Sequence, residues 1–186
     1  MKKKTILYIL VVMVLTVNIS MAAAQEQVYR LGPGDVLEIS VWKDEELSRQ
    51  IIVPPDGIMS FPLIGDIDVT ELSVPELRDI VSKKLSEYVT GAEVTVMLLS
   101  ANSLRAYVVG KVNSPGQFPI TMQTNVMQLI AMAGDLNTFA SSGSILILRR
   151  EKDVTQSFPF DYDEVKKGKE LEQNIILRRG DIVVVP

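Results

Sequence analysis

The 186-residue chain contains no cysteine and no histidine. Without cysteine it can form no disulfide and carry no cysteine-linked lipid, so its stability has to come from packing and backbone pairing. Without histidine, Ser-His-Asp and Cys-His nucleophilic sets are excluded, and so are the commonest zinc ligand sets. No metal or cofactor is expected. Aromatic residues make up only 6% of the chain, and tryptophan occurs once, at Trp42. The 19 basic residues are outnumbered by 23 acidic ones, which leaves no cationic surplus for a phosphate backbone. A nucleic-acid partner is therefore not expected.

What is present begins with a tripartite N-terminus. Lys2, Lys3 and Lys4 precede an apolar run from Ile6 to Val17, and the small residues Ala22, Ala23 and Ala24 lead into polar Gln25-Glu26-Gln27. That is the layout of a secretory signal peptide, and the run falls short of the ~20 residues that span a bilayer. Cleavage between Ala24 and Gln25 is expected, with retention as a membrane anchor the alternative. Loss of residues 1–24 would remove three lysines and no acid, moving the net charge from −4 to −7.

Beyond residue 28, Leu31-Gly32-Pro33-Gly34-Asp35 reads as a turn leading into Val36 to Trp42, where Leu37, Ile39 and Val41 alternate with Glu38 and Ser40 as in a half-buried strand. The apolar stretches 51–53 and 58–61, joined by Pro54-Pro55-Asp56-Gly57, predict a hairpin. Ser73-Val74-Pro75-Glu76 is a capping-box start for a helix reaching about Tyr88, with Leu77, Ile80, Val81, Leu85 and Tyr88 on one stripe and Gly91 beyond its end. Strands are predicted at 93–99 and 105–110, across a polar connection at 100–103. A turn at Val112-Asn113-Ser114-Pro115-Gly116 leads into 117–120. A short apolar helix over 126–133, capped by Thr124 or Asn125, stops at Gly134. A strand at 145–148, a helical turn over 161–167 and a last strand at 182–185 follow.

Strands with too few helices to cover both faces of a parallel sheet indicate an α+β fold. Leu31-Gly32-Pro33-Gly34-Asp35-Val36 is echoed by Leu177-Arg178-Arg179-Gly180-Asp181-Ile182. The echo suggests that the two strands after these turns share a sheet, so that residues 29–47 pair with the C-terminal part and roughly 48–100 form an insertion in a discontinuous domain.

These motifs, in this order, resemble the bacterial polysaccharide biosynthesis and export family. Tyr29 to Leu37 with Val41-Trp42 looks like its opening signature. Pro55-Asp56-Gly57-Ile58 with Phe61-Pro62-Leu63-Ile64-Gly65 looks like the core of its export domain. Tyr107 to Gly116, with its Gly110, and Leu129 to Leu136 are similar to its soluble-ligand-binding β-grasp (SLBB) module. The resemblance implies an export domain over 25–103 and an SLBB domain over 104–186. It further implies a component of a capsule or exopolysaccharide translocon that makes and breaks no bond. Expected partners are the polysaccharide, further copies of the chain, an inner-membrane co-polymerase and a separate outer-membrane component. The expected location is the periplasm, or the periplasmic face of the outer membrane, of a Gram-negative bacterium. Well-known members carry a lipidated cysteine where Ala24-Gln25 stands, and many continue into further SLBB modules and a membrane-crossing helix. With neither visible here, a ring or collar is expected in place of a pore. A stand-alone carbohydrate-binding module is the alternative.

Few residue types remain for chemistry. Asp35 and Asp181 could pair as glycoside-cleaving acids, but in Gly-Asp turns, as at Asp56, the carboxylate more commonly caps nearby amides. Trp42 could stack on a sugar, though core or interface packing is the better reading. Arg149-Arg150 and Arg178-Arg179 are candidate contacts for an anionic polymer or partner, with a solvated strand-end pair as the alternative. Met122, Met127 and Met132 read as adaptable core filling.

Overall fold

The computed structural model describes residues 28–186, so the expected cleavage site at Ala24 and Gln25 lies outside the described residues. Alternation organises the first sheet. In β1 (Val36–Val41) Leu37, Ile39 and Val41 are buried and their neighbours half-buried, and β1 runs antiparallel between β2 (Asp44–Ile52) and β5 (Val94–Ser100). A two-stranded ribbon, β3 (Ile58–Phe61) and β4 (Gly65–Asp68), and helix α1 (Val74–Leu85) close the same core. The α1 start forms as a capping box. Ser73 Oγ accepts from the Glu76 amide, while the Glu76 carboxylate accepts from the Ser73 amide at 2.7 Å. Leu77, Val81 and Leu85 are fully buried, but the helix ends at Leu85 and leaves Tyr88 exposed, short of the expected span.

The second core belongs to a five-stranded sheet of order β7-β6-β10-β8-β9. Its strands are β6 (Arg105–Gly110), β7 (Gly116–Pro119), β8 (Ile145–Glu151), β9 (Val154–Phe160) and β10 (Ile182–Val185). Helix α2 (Val126–Met132), capped by Asn125 and not Thr124, and the short α3 (Tyr162–Lys166) join one face of it. β10 pairs parallel to β6 and antiparallel to β8, making the sheet mixed. Gly110 ends β6 at φ +97°, and a Cβ there would stand 2.0 Å from the Val185 carbonyl oxygen. Only glycine lets the end of β6 approach β10 this closely.

Two expectations of pairing are corrected. The 51–61 hairpin does not form: β2 pairs with β1, and β3 with β4. Val53 still closes the first ladder by bonding Asp35 and Gly34, but Pro54 and Pro55 offer no amide to continue it, and the turn at Asp56-Gly57 redirects the chain to the ribbon. Nor do β1 and β10 share a sheet, so each unit's sheet is continuous in sequence. The segment before β1 meets the C-terminal unit through side chains and loops, as described next. Both parts of the fold are α+β.

Candidate functional site

The chemistry-bearing side chains converge on the joint between the two cores. Asp35 is fully buried. Its Oδ2 accepts from Tyr29 Oη at 2.6 Å and from the Gly32 amide at 2.9 Å, and its Oδ1 accepts from the Ser103 amide at 2.8 Å. Ser103 lies in the connection from β5 to β6, so this carboxylate ties the opening turn to the segment leading into the second sheet. Tyr29 packs against both cores and also meets Ser103 Oγ at 3.0 Å. Burial, and next its hydrogen bond to Asp35, push the Tyr29 phenol up to about 12.

Asp181 is equally buried but holds a charge partner. Arg149 donates through Nε at 2.9 Å and Nη2 at 2.7 Å, one bond to each carboxylate oxygen, and the Arg178 amide adds a bond at 2.8 Å. The Arg149 guanidinium lies over the Phe158 ring and bonds the Ile176 carbonyl. Arg149 is therefore a core ion pair and not a surface contact, because it continues the inward alternation of Ile145 and Ile147. Asp35 and Asp181 sit in different units with their oxygens occupied, so they form no acid pair around a sugar bond.

Arg179 reaches from the second unit to the first. Its Nη2 donates to the Arg30 carbonyl and its Nη1 to the Leu31 carbonyl, over the Tyr29 ring. A Cβ on Gly32 would stand 2.2 Å from that Nη1, so the glycine makes room for the guanidinium. Arg30 is paired with Glu76 at the start of α1. Two clefts flank the joint. One, of about 330 Å³, is lined by Val28, Tyr29, Leu104, Met122 and Leu177 with arginines at its rim. The other, of about 260 Å³, is lined by Pro33, Asn102, Arg105, Tyr107 and Gln117.

The remaining candidates are dispersed. Arg150 is exposed and bonds only the Lys152 carbonyl, and Arg178 makes an exposed pair with Glu151. Trp42 is 68% exposed at the end of β1, so it does not pack in the core. Gly34, Gly57, Gly134 and Gly180 take positive φ in their turns, Asp56 accepts from the Ile58 amide, and Pro115-Gly116 opens β7. Met122 and Met127 pack at the edge of the second core, whereas Met132 is exposed. The sequence reading missed Tyr29, Ser103 and Arg105. Nothing local marks the first two as partners of Asp35, since Ser103 comes from 68 residues away. Among the described residues, no helix is long and apolar enough to cross a membrane, and no cluster of acids is placed to hold a metal ion.

Two α+β units follow one another and are fastened at a polar joint, and comparison with known proteins identifies both. Residues 23–99 match the Polysaccharide biosynthesis/export protein family and residues 104–185 match the SLBB domain. The chain belongs to the polysaccharide biosynthesis/export family. It is 32% identical to the EPS I polysaccharide export outer membrane protein EpsA of Ralstonia nicotianae, over 84% of this chain and 47% of that protein. It is 26% identical to the polysialic acid transport protein KpsD of Escherichia coli, over 76% of this chain and 25% of that one. The capsule polysaccharide export outer membrane protein CtrA of Neisseria meningitidis is 24% identical, over 83% and 43%. The chain spans about half or less of the length of these relatives.

Proposed function

We propose that this chain is an exported subunit of a bacterial capsule or exopolysaccharide export translocon. In this reading several copies form a channel or collar in the periplasm, or against the periplasmic face of the outer membrane. The collar links an inner-membrane co-polymerase to a separate outer-membrane component, and the polymer passes without a bond being made or broken. The observation that carries the reading is the order and fastening of the two family units. An export unit and an SLBB unit are held in one relation by Asp35, Tyr29, Ser103 and Arg179, as a subunit that must keep its shape in a ring requires. The names of the relatives, which speak of polysaccharide export and polysialic acid transport, agree with it.

Native mass measurement of the chain purified after export tests this proposal. A discrete multimer is expected. A strict monomer at high concentration, with its partners added, would end it, and tight binding of that monomer to a defined oligosaccharide would replace it with a carbohydrate-binding module.

A further inference from the structure

Each unit leaves one face of its sheet uncovered, and the two faces are opposite in character. In the five-stranded sheet α2 and α3 cover one side. On the other, strand alternation and register bring Tyr107 and Val109 of β6, Ile182 and Val184 of β10, and Leu146 and Leu148 of β8 side by side. Tyr107, Val109 and Leu146 are each about 40% exposed, and this is a contiguous apolar patch. Arg105 and Arg150 stand one row further along, and no outward strand position of this sheet carries an acid.

The three-stranded sheet is covered by α1 and the β3-β4 ribbon on one side only. On the other, Ile52, Met97 and Leu99 are exposed around half-buried Val36, with Trp42 at the end of β1. Its outward strand charge is acidic: Glu38 lies between Gln50 and Met97, and exposed Glu93 precedes β5, while exposed Lys43 sits in the turn after Trp42. No outward strand position of this sheet carries a base. Among the described residues, Glu38, Glu93, Arg105 and Arg150 have no ion-pair partner within the chain.

We infer that the outer face of the three-stranded sheet of one copy docks on the outer face of the five-stranded sheet of the next. This rests on the homo-oligomeric reading above and names the surfaces that would build it. The apolar centres supply the burial, and the unpaired acids and arginines set the partner and the direction. A face docking on its own copy would offer Arg105 and Arg150, or Glu38 and Glu93, no opposite charge on the outward strand positions. Contact between two different surfaces is head-to-tail and closes into a ring when the rotation permits.

The test uses two variants of the full chain: Met97→Lys with Leu99→Lys on the acidic face, and Val109→Glu with Leu146→Glu on the basic face. All four positions are exposed, so the fold should survive, and an unchanged thermal melt checks this. Each variant alone is expected to associate roughly a hundredfold more weakly and to run as a monomer. Mixed, the two should associate again, because each retains the face the other needs and the introduced lysines and glutamates are of opposite sign. Tyr88→Glu, on an exposed residue outside both faces, should leave assembly unchanged. If the wild type itself is monomeric, the oligomeric reading fails and this inference falls with it. If the wild type is multimeric and the Met97/Leu99 variant assembles as before, or if the two variants fail to pair, the faces assigned here are wrong while the oligomer stands.

Discussion

Asp35 and Asp181 follow glycines at the heads of strands in different sheets, and their turns are built alike. In each, the aspartate amide donates to the carbonyl three residues back, at 3.2 and 3.1 Å, and the carboxylate accepts from the amide of that same residue, at 2.9 and 2.8 Å. The internal echo is this turn, used twice. The two differ in what neutralises the buried carboxylate. Asp181 faces a guanidinium, whereas Asp35 is held by a phenol and two backbone amides. A carboxylate can thus be buried by a counter-charge or by donors alone, and the two solutions should fail differently.

The largest effect is expected at the ion pair. Arg149→Met leaves Asp181 buried without its charge partner, which should cost about 3–5 kcal/mol in urea unfolding. Arg149→Met combined with Asp181→Asn removes both charges and should lie closer to the wild type than either single change. Strictly additive costs would show that the pair is solvated and that the contrast with Asp35 is unfounded.

Next is Asp35→Asn, which keeps the side chain's shape but turns one acceptor into a donor facing donors. A loss of about 1–3 kcal/mol is expected, with Tyr29→Phe nearer ~1 kcal/mol because it removes a single hydrogen bond. Since Ser103 is tied to Asp35, proteolysis of the connection at 100–103 should quicken in Asp35→Asn but not in Arg149→Met. Equal cleavage in both would place the joint's strength elsewhere.

These contrasts mark what could be read from the sequence. Local signals were legible: the alternation of β1, the capping box at Ser73 and Glu76, and the bounds of β6 and β10 all form as written. Elements whose pattern is set by distant partners were not. Most of β2 is polar or charged because it lies at a sheet edge, and β9 carries Pro159, tolerated because β9 is also an edge. Proline-rich 54–57 looked like a hairpin because a turn signal does not say which strands it joins. Arg149 was within reach of a stricter reading, since Ile145, Ile147 and Arg149 share one parity, and a charge on the buried side of a strand needs a buried partner. That the partner is Asp181, 32 residues on, is a fact of folding alone.

The smallest effect separates the two turns by pH. The Tyr29 phenol, ordinarily near 10.0, is raised to about 12 in the folded chain, first by burial and then by its bond to Asp35. A raised value means that the folded state holds its proton more tightly than the unfolded one. The stability this contributes is complete below about pH 10 and is lost as pH climbs toward 12, where the folded phenol ionises too. The turn at Asp181 has no phenol and should show no such step. Subtracting the alkaline absorbance titration of Tyr29→Phe from that of the wild type isolates the residue from Tyr162, whose phenol is also raised, by burial and then by its bond to Asp135. The difference should reveal one phenolate appearing well above pH 10, together with a wild-type unfolding midpoint that falls between pH 10 and 12 more than the variant's does. A difference spectrum centred at 10 would mean that Tyr29 is open to water and that Asp35 is held by its amides alone.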